Sequence, residues 1–190
     1  MTIKTFNINT DKTAFVRAYL PDSIAGLPFC EKRPAVLIFP GGGDEYCSDR
    51  EGEPIALQYL ALGYAAFVVT YSCNERFPEP LMDAAYIFYK IRMRAEEFKI
   101  DPQKMAVLGC SAGGHLAGCL ATMWSDIALT KTIGCEPEDL RPNAAILCYP
   151  VISGVTAPHE GSFKVLLGED ASRSDLSRLS LENRVTPKTP

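Results

Sequence analysis

The sequence predicts an α/β fold, a mostly parallel sheet flanked by helices, and three observations lead to it. Apolar runs of strand length alternate with segments of helical periodicity along most of the chain. The runs are apolar throughout rather than alternating, as in strands buried on both faces. Their order (strand, helix, strand, helix) is the one that right-handed crossovers between parallel strands produce.

Each element has its own reason. Ile3–Ile8 and Thr13–Leu20 predict two strands joined by the polar turn Asn9-Thr10-Asp11-Lys12, a hairpin. Ala35 to Phe39 is a continuous apolar strand, ended by Pro40 and three glycines. Ser48 and Glu51, three apart ahead of Pro54, combine a capping box with an early proline and predict a helix through Leu60 that closes near Gly63. Tyr64–Tyr71 is the next buried strand. From Leu81 to Phe98, Leu81, Ala84, Ala85, Phe88, Ile91, Ala95 and Phe98 form one apolar stripe of a long helix. Asp101-Pro102 breaks that pattern, and Lys104–Leu108 reads as a strand. Gly109–Gly114 is a glycine-rich turn and His115–Trp124 a helix; residues 126–142 read as irregular. Ala144–Tyr149 is a further apolar strand, closed by Pro150, after which Ser162–Leu167 and Leu176–Leu181 are short helical segments.

Composition narrows the function classes. The 190 residues suit one domain. With 47% hydrophobic and 22% charged residues, neither disorder nor a fibrous repeat fits. A net charge of -4 argues against a phosphate-tracking surface, so no nucleic acid is expected as a partner. The longest apolar stretch, Tyr64 to Val69, is far short of the roughly 20 residues a bilayer needs, and the opening residues lack the apolar core of a signal peptide. A soluble cytoplasmic domain with no membrane partner is the expectation. Seven cysteines make an odd count without a C-x-x-C pair, which points to reduced thiols serving as small core residues. No cluster has metal-ligand spacing, and no cofactor is expected.

Two motifs carry chemistry. Gly109-Cys110-Ser111-Ala112-Gly113 is a G-x-S-x-G with a strand before it and a small-residue helix after it, the context in which a strained turn presents a nucleophilic serine. Pro40-Gly41-Gly42-Gly43 follows the first buried strand. Glycines there can offer unobstructed backbone N–H groups to an oxyanion, worth roughly 3 kcal/mol per donor. They do not follow G-x-G-x-x-G, which disfavours a dinucleotide loop.

The run LIFPGGG, then SDREGEPIA, then EEFKIDPQKMAVLGCSAGGHLA, resembles the α/β-hydrolase esterase/lipase family over nearly the whole chain. The similarity is greatest to the acetyl-xylan-esterase-like and hormone-sensitive-lipase-like carboxylesterases. The resemblance implies an α/β-hydrolase fold, Ser111 as catalytic nucleophile, and an oxyanion hole made by the backbone N–H groups of Gly42, Gly43 and Ala112. Many relatives have a histidine before the glycines where this chain has Pro40, which points to the acetyl-esterase-like branch. The family orders its triad as serine, acid, histidine, and no convincing acid and histidine follow Ser111 here. A single domain over residues 1–190, truncated before the last strands and missing the acid and histidine loops, is therefore expected. Its exposed sheet edge would invite self-association into a homo-oligomer.

Of the two histidines, His115 reads as a buried core residue. His159 reads as a loop or lid residue, with a minor reading as a base oriented by Glu160. Asp83 reads as a helix-dipole partner, Asp101 as a turn residue, Asp44 and Glu45 as lining the acyl pocket or solvated, and Cys110 as buried and inert. The function expected is a serine carboxylesterase acting on short acyl esters, acetyl groups on sugars or xylan fragments included, with the chain as given nearly inactive. Two alternatives stand beside it. A prolyl-oligopeptidase-like peptidase would usually carry a tyrosine where Ala112 stands, and a non-catalytic hydrolase-fold binding module gains weight from the missing acid and base.

Overall fold

A computed structural model describes residues 1–7, 14–23 and 32–190. Its six strands are β1 (Thr2–Asn7), β2 (Phe15–Leu20), β3 (Arg33–Phe39), β4 (Ala65–Thr70), β5 (Ile100–Cys110) and β6 (Ala144–Cys148). They form one sheet in the order β1-β2-β4-β3-β5-β6. β1 and β2 pair antiparallel, as do β2 and β4, while β4, β3, β5 and β6 run parallel. The predicted hairpin is therefore present, though its turn at 9–12 lies outside the described residues.

The helices are α1 (Glu53–Ala61), α2 (Glu79–Met93), α3 (Ala95–Phe98), α4 (Ser111–Met123), α5 (Ile127–Ile133), α6 (Pro137–Leu140), α7 (Glu160–Leu167) and α8 (Arg173–Leu179). The central strands are apolar on both faces because both faces are covered. Ala35, Leu37 and Phe39 of β3 join the larger core with α2 and α4, while Val36 and Ile38 join the smaller one under Ala56 of α1.

Four expectations about the elements need correction. The long helix is two, broken at Arg94, whose guanidinium lies over the rings of Phe6 and Phe98 at 5.0 and 4.9 Å. Asp101-Pro102 does not precede the strand but lies within β5; the β3–β5 register jumps between Arg33 and Ala35, and the Asp101 carboxylate accepts the Gln103 N–H at 2.9 Å. The irregularity is a bulge that absorbs the proline's missing donor. Residues 126–142 are not irregular throughout but hold α5 and α6. Asp126 caps α5 by accepting the Ala128 N–H at 2.9 Å. The buried Arg92 fastens α6, donating to the carbonyls of Glu138, Asp139 and Arg141 at 3.0, 2.8 and 3.0 Å. Asp83 is a buried tether rather than a dipole partner: its carboxylate accepts the Ser72 N–H at 3.0 Å, joining α2 to the end of β4.

Candidate active site

β5 ends at Cys110 and α4 begins at Ser111 with no residue between them, a tighter junction than a turn spanning Gly109–Gly114. Ser111 makes the change of direction itself. Its φ is +52°, in the left-handed region that costs a non-glycine residue about 1 kcal/mol or more. The neighbours allow it by lacking bulk. A Cβ at Gly109 would lie 2.0 Å from the Gly113 carbonyl oxygen, and one at Gly113 would lie 2.1 Å from the Phe39 oxygen and 2.5 Å from that of Pro40. Ser111 is half-buried at the C-terminal edge of the sheet and heads a 13-residue helix, whose N-terminus favours negative charge.

The glycine loop lies directly against this junction. A Cβ on Gly41 would sit 2.6 Å from the Cys110 oxygen and 2.9 Å from the Ser111 Cβ. The loop is closed on itself by Ser48 N–H donating to the Gly41 carbonyl at 2.8 Å and Glu45 N–H to that of Gly42 at 3.1 Å. The buried Tyr71 hydroxyl holds its root, donating to the Pro40 carbonyl at 2.8 Å. Among the described residues the N–H groups of Gly42 and Gly43 are given to no acceptor. The Ala112 N–H lies in the first turn of α4, where intrahelical acceptors are lacking.

Glu51 corrects a reading made from spacing. Ser48 makes no side-chain cap, and the Glu51 carboxylate does not turn back to it; Asp49–Glu51 is a 3-10 turn and α1 starts after Gly52. Instead the two carboxylate oxygens of Glu51 accept the Gly41 N–H at 2.7 Å and the Tyr149 hydroxyl at 2.8 Å. One side chain thus spans from the glycine loop to the residue that follows β6, passing beside the serine. Sequence reasoning missed Gly41, Glu51 and Tyr149 as parts of the site. A signal existed for two of them. Pro54 already marks a helix start, which leaves the Glu51 carboxylate spare, and Tyr149 stands at a strand's C-terminal end, where open α/β sheets place their sites.

A cleft of about 690 Å³ opens beside Ser111, lined among others by Tyr149, Ile152, Thr156, His159 and Glu182. His159 therefore shares the cleft with the serine, but not as a base. It caps α7, its Nδ1 accepting the Ser162 N–H at 3.2 Å, so that nitrogen is turned to the helix and not to the serine. No hydrogen bond joins Glu160 to it. His115 is buried in the core, as expected, with Nε2 2.9 Å from the Leu179 carbonyl and its ring edge-on to Phe163; burial lowers its pKa. Cys110 is buried beneath the junction, and burial pushes its thiol up to about 11.

Asp44 and Glu45 separate. Glu45 is exposed, whereas Asp44 is 3% exposed at a φ of +66°. Burial pushes the Asp44 carboxyl up to about 6, with Ser162 and His159 offsetting that only in part. The relief is partial because Asp44 Oδ2 and Ser162 Oγ are both buried without a hydrogen-bond partner of good geometry. Among the described residues, then, the site joins a strained serine, a glycine loop with unengaged donors and a carboxylate brace. No hydrogen bond joins the Ser111 hydroxyl to a side-chain base among those residues.

Parallel sheet, strand-to-helix junction and adjoining glycine loop define an α/β hydrolase. Residues 29–158 match the sequence pattern of the BD-FAE family, and the chain belongs to that family. It is 35% identical over 166 residues to endo-1,4-beta-xylanase B of Butyrivibrio fibrisolvens, matching 84% of this chain and 26% of that protein. It is 30% identical over 190 residues to acetylxylan esterase of Xylanibacter ruminicola, matching 95% of this chain and 35% of the esterase. The chain thus spans about a quarter to a third of the length of these relatives. Among solved structures it superposes on an acetyl ester-xyloside bifunctional hydrolase from Caldicellulosiruptor lactoaceticus with a TM-score of 0.81 at 34% identity, covering 97% of this chain and 66% of that one. A carboxylesterase from Lactobacillus plantarum gives a TM-score of 0.80 at 25% identity, covering 100% and 69%.

Proposed function

We propose that the protein is a serine carboxylesterase for short acyl esters, acetyl groups on sugars or xylan fragments among them, and that Ser111 is its nucleophile. The observation that carries the reading is the left-handed Ser111 at the β5–α4 junction, held against a glycine loop whose Gly42 and Gly43 N–H groups are given to no acceptor among the described residues. Backbone strain at a single polar residue persists only where the surroundings impose it, and such residues cluster at active sites. The acetylxylan esterase and the carboxylesterase among the relatives support the substrate class.

In this reading Ser111 Oγ attacks the ester carbonyl while its proton passes to a histidine. The oxyanion is held by the N–H groups of Gly42, Gly43 and Ala112, the alcohol leaves, and water releases the acid from the acyl-enzyme. The reading requires a histidine and an orienting acid that the described residues do not bring to the serine, since neither His115 nor His159 directs a ring nitrogen to it. No step draws on a cofactor.

The test uses a fluorophosphonate probe on the protein from its native source. Labelling of the peptide that contains Ser111, with hydrolysis of p-nitrophenyl acetate well above that of peptide p-nitroanilides, is the expected result. No labelling would turn the reading to a non-catalytic binding module, and preference for the anilides to a peptidase. The 190-residue chain alone is expected to hydrolyse p-nitrophenyl acetate scarcely above buffer.

A further inference from the structure

Among the described residues two cysteines distant in sequence bring their sulfurs together. Cys47 lies in the glycine loop and Cys73 just beyond β4, 26 residues on, with their sulfurs 3.7 Å apart. Both are half-buried, as are Cys135 and Cys148, whereas Cys110 and Cys119 are enclosed in the core. The backbone around the pair is already joined. Asn74 donates its N–H to the Asp44 carbonyl at 2.7 Å and its side-chain amide to that of Glu45 at 2.8 Å. A disulfide needs sulfurs about 2.0 Å apart, so each must move by less than about 1 Å towards the other. Cys47 lines a cleft of about 620 Å³ with Arg17, Pro40, Asp49 and Thr70.

We propose that Cys47 and Cys73 are a redox-reversible dithiol, oxidised by small-molecule disulfides to a cross-link that ties the glycine loop to the segment after β4. Cys47, which faces the cleft, is the attacking thiol. The hydrogen bond with Cys73 holds the Cys47 thiol below its ordinary pKa and raises that of Cys73, so Cys47 is the more readily ionised of the two. The Cys47 thiolate attacks one sulfur of the disulfide RSSR, forming a mixed disulfide and releasing one thiolate, which takes up a proton. Cys73 then loses its proton and attacks the Cys47 sulfur, expelling the second thiol. The balance is two protein thiols plus RSSR giving one protein disulfide plus two RSH, with two electrons passing to the small disulfide. The cross-link would restrain the loop that bears Gly42 and Gly43. That consequence rests on the esterase reading, whereas the cross-link itself does not.

The 190-residue chain is equilibrated with oxidised and reduced glutathione at graded ratios, quenched by alkylation and mapped by mass spectrometry. A peptide joining Cys47 to Cys73, loss of two alkylatable thiols from the seven, and reversal by dithiothreitol are expected. Cys73→Ser should trap glutathione on Cys47, and Cys47→Ser should leave Cys73 unmodified under the same conditions. The proposal is overturned if both thiols stay fully alkylatable in oxidised glutathione, if glutathione accumulates on Cys47 of the unsubstituted chain, or if the cross-link joins other cysteines. The map of the unsubstituted chain decides the matter even if either variant fails to fold. Fluorophosphonate labelling of Ser111 is read separately, so a failed cross-link and a failed esterase reading are told apart.

Discussion

At the scale of single residues, Asp44 carries the sharpest consequence. Its carboxyl titrates near 6 in the folded chain, raised from 3.8 chiefly by burial. Between those values the folded chain binds more protons than the unfolded one, so stability falls as pH rises from about 4 to about 6 and stays low above. The difference of about two pH units corresponds to about 3 kcal/mol. Asp44→Asn keeps the shape, and asparagine tolerates the residue's positive φ. We expect the variant to be more stable at pH 8 by up to about 3 kcal/mol in urea unfolding, with that part of the pH slope gone. An unchanged slope would show that Asp44 is not the group responsible. Glu51 makes the contrasting point. Its spacing from Ser48 suited a cap, but the Gly41 N–H and Tyr149 hydroxyl claim both carboxylate oxygens. Local spacing nominates partners; it does not rank them against distant ones.

At the scale of elements, the strand-to-helix junction was legible because it is a local constraint. Small residues at 109, 112, 113 and 114 are what a turn this tight demands. Gly113 is tightly restricted, since a methyl there meets backbone oxygens of Phe39 and Pro40 that cannot swing away. Gly113→Ala should destabilise the chain by about 3 kcal/mol or more, or prevent folding, because β3 must move as a whole. Gly134→Ala is the control: among the described residues nothing beyond its chain neighbours would lie within 4 Å of the methyl, so only its φ of +76° opposes it, and about 1 kcal/mol is expected. Equal effects in urea titrations would refute the distinction. Boundaries and irregularities were less legible. The bulge at Asp101-Pro102 reads as a strand break until pairing with β3 carries the strand past it. The helices in 126–142 need Arg92, nearly fifty residues earlier, to hold the second of them in place.

At the scale of the whole molecule, the parallel half of the sheet and its two covered faces followed from apolar runs alone, because burial on both sides leaves no polar positions in a strand. β6 differs. Among the described residues it pairs only with β5, and Ala144 and Leu147 are exposed on it. An unpaired apolar strand edge is a template for another chain. The mean mass of the 190-residue chain by light scattering should therefore rise with concentration, and Leu147→Lys should lower that rise. A monomer at every concentration would remove the prediction.

Taken alone, the sequence determined the α/β class, the strand-to-helix junction at Ser111 and the family, since each is written in patterns a few residues long. Periodicity reports burial, and glycine and proline report backbone geometry, both over short spans. Only the tertiary structure decided that Asp44 is buried and Glu45 is not, that Glu51 braces the glycine loop, that His159 spends its lone pair on a helix cap, and that Cys47 meets Cys73. Each of these depends on which groups from distant segments arrive within hydrogen-bond or van der Waals reach, and chain closure over tens of residues leaves no mark in local composition.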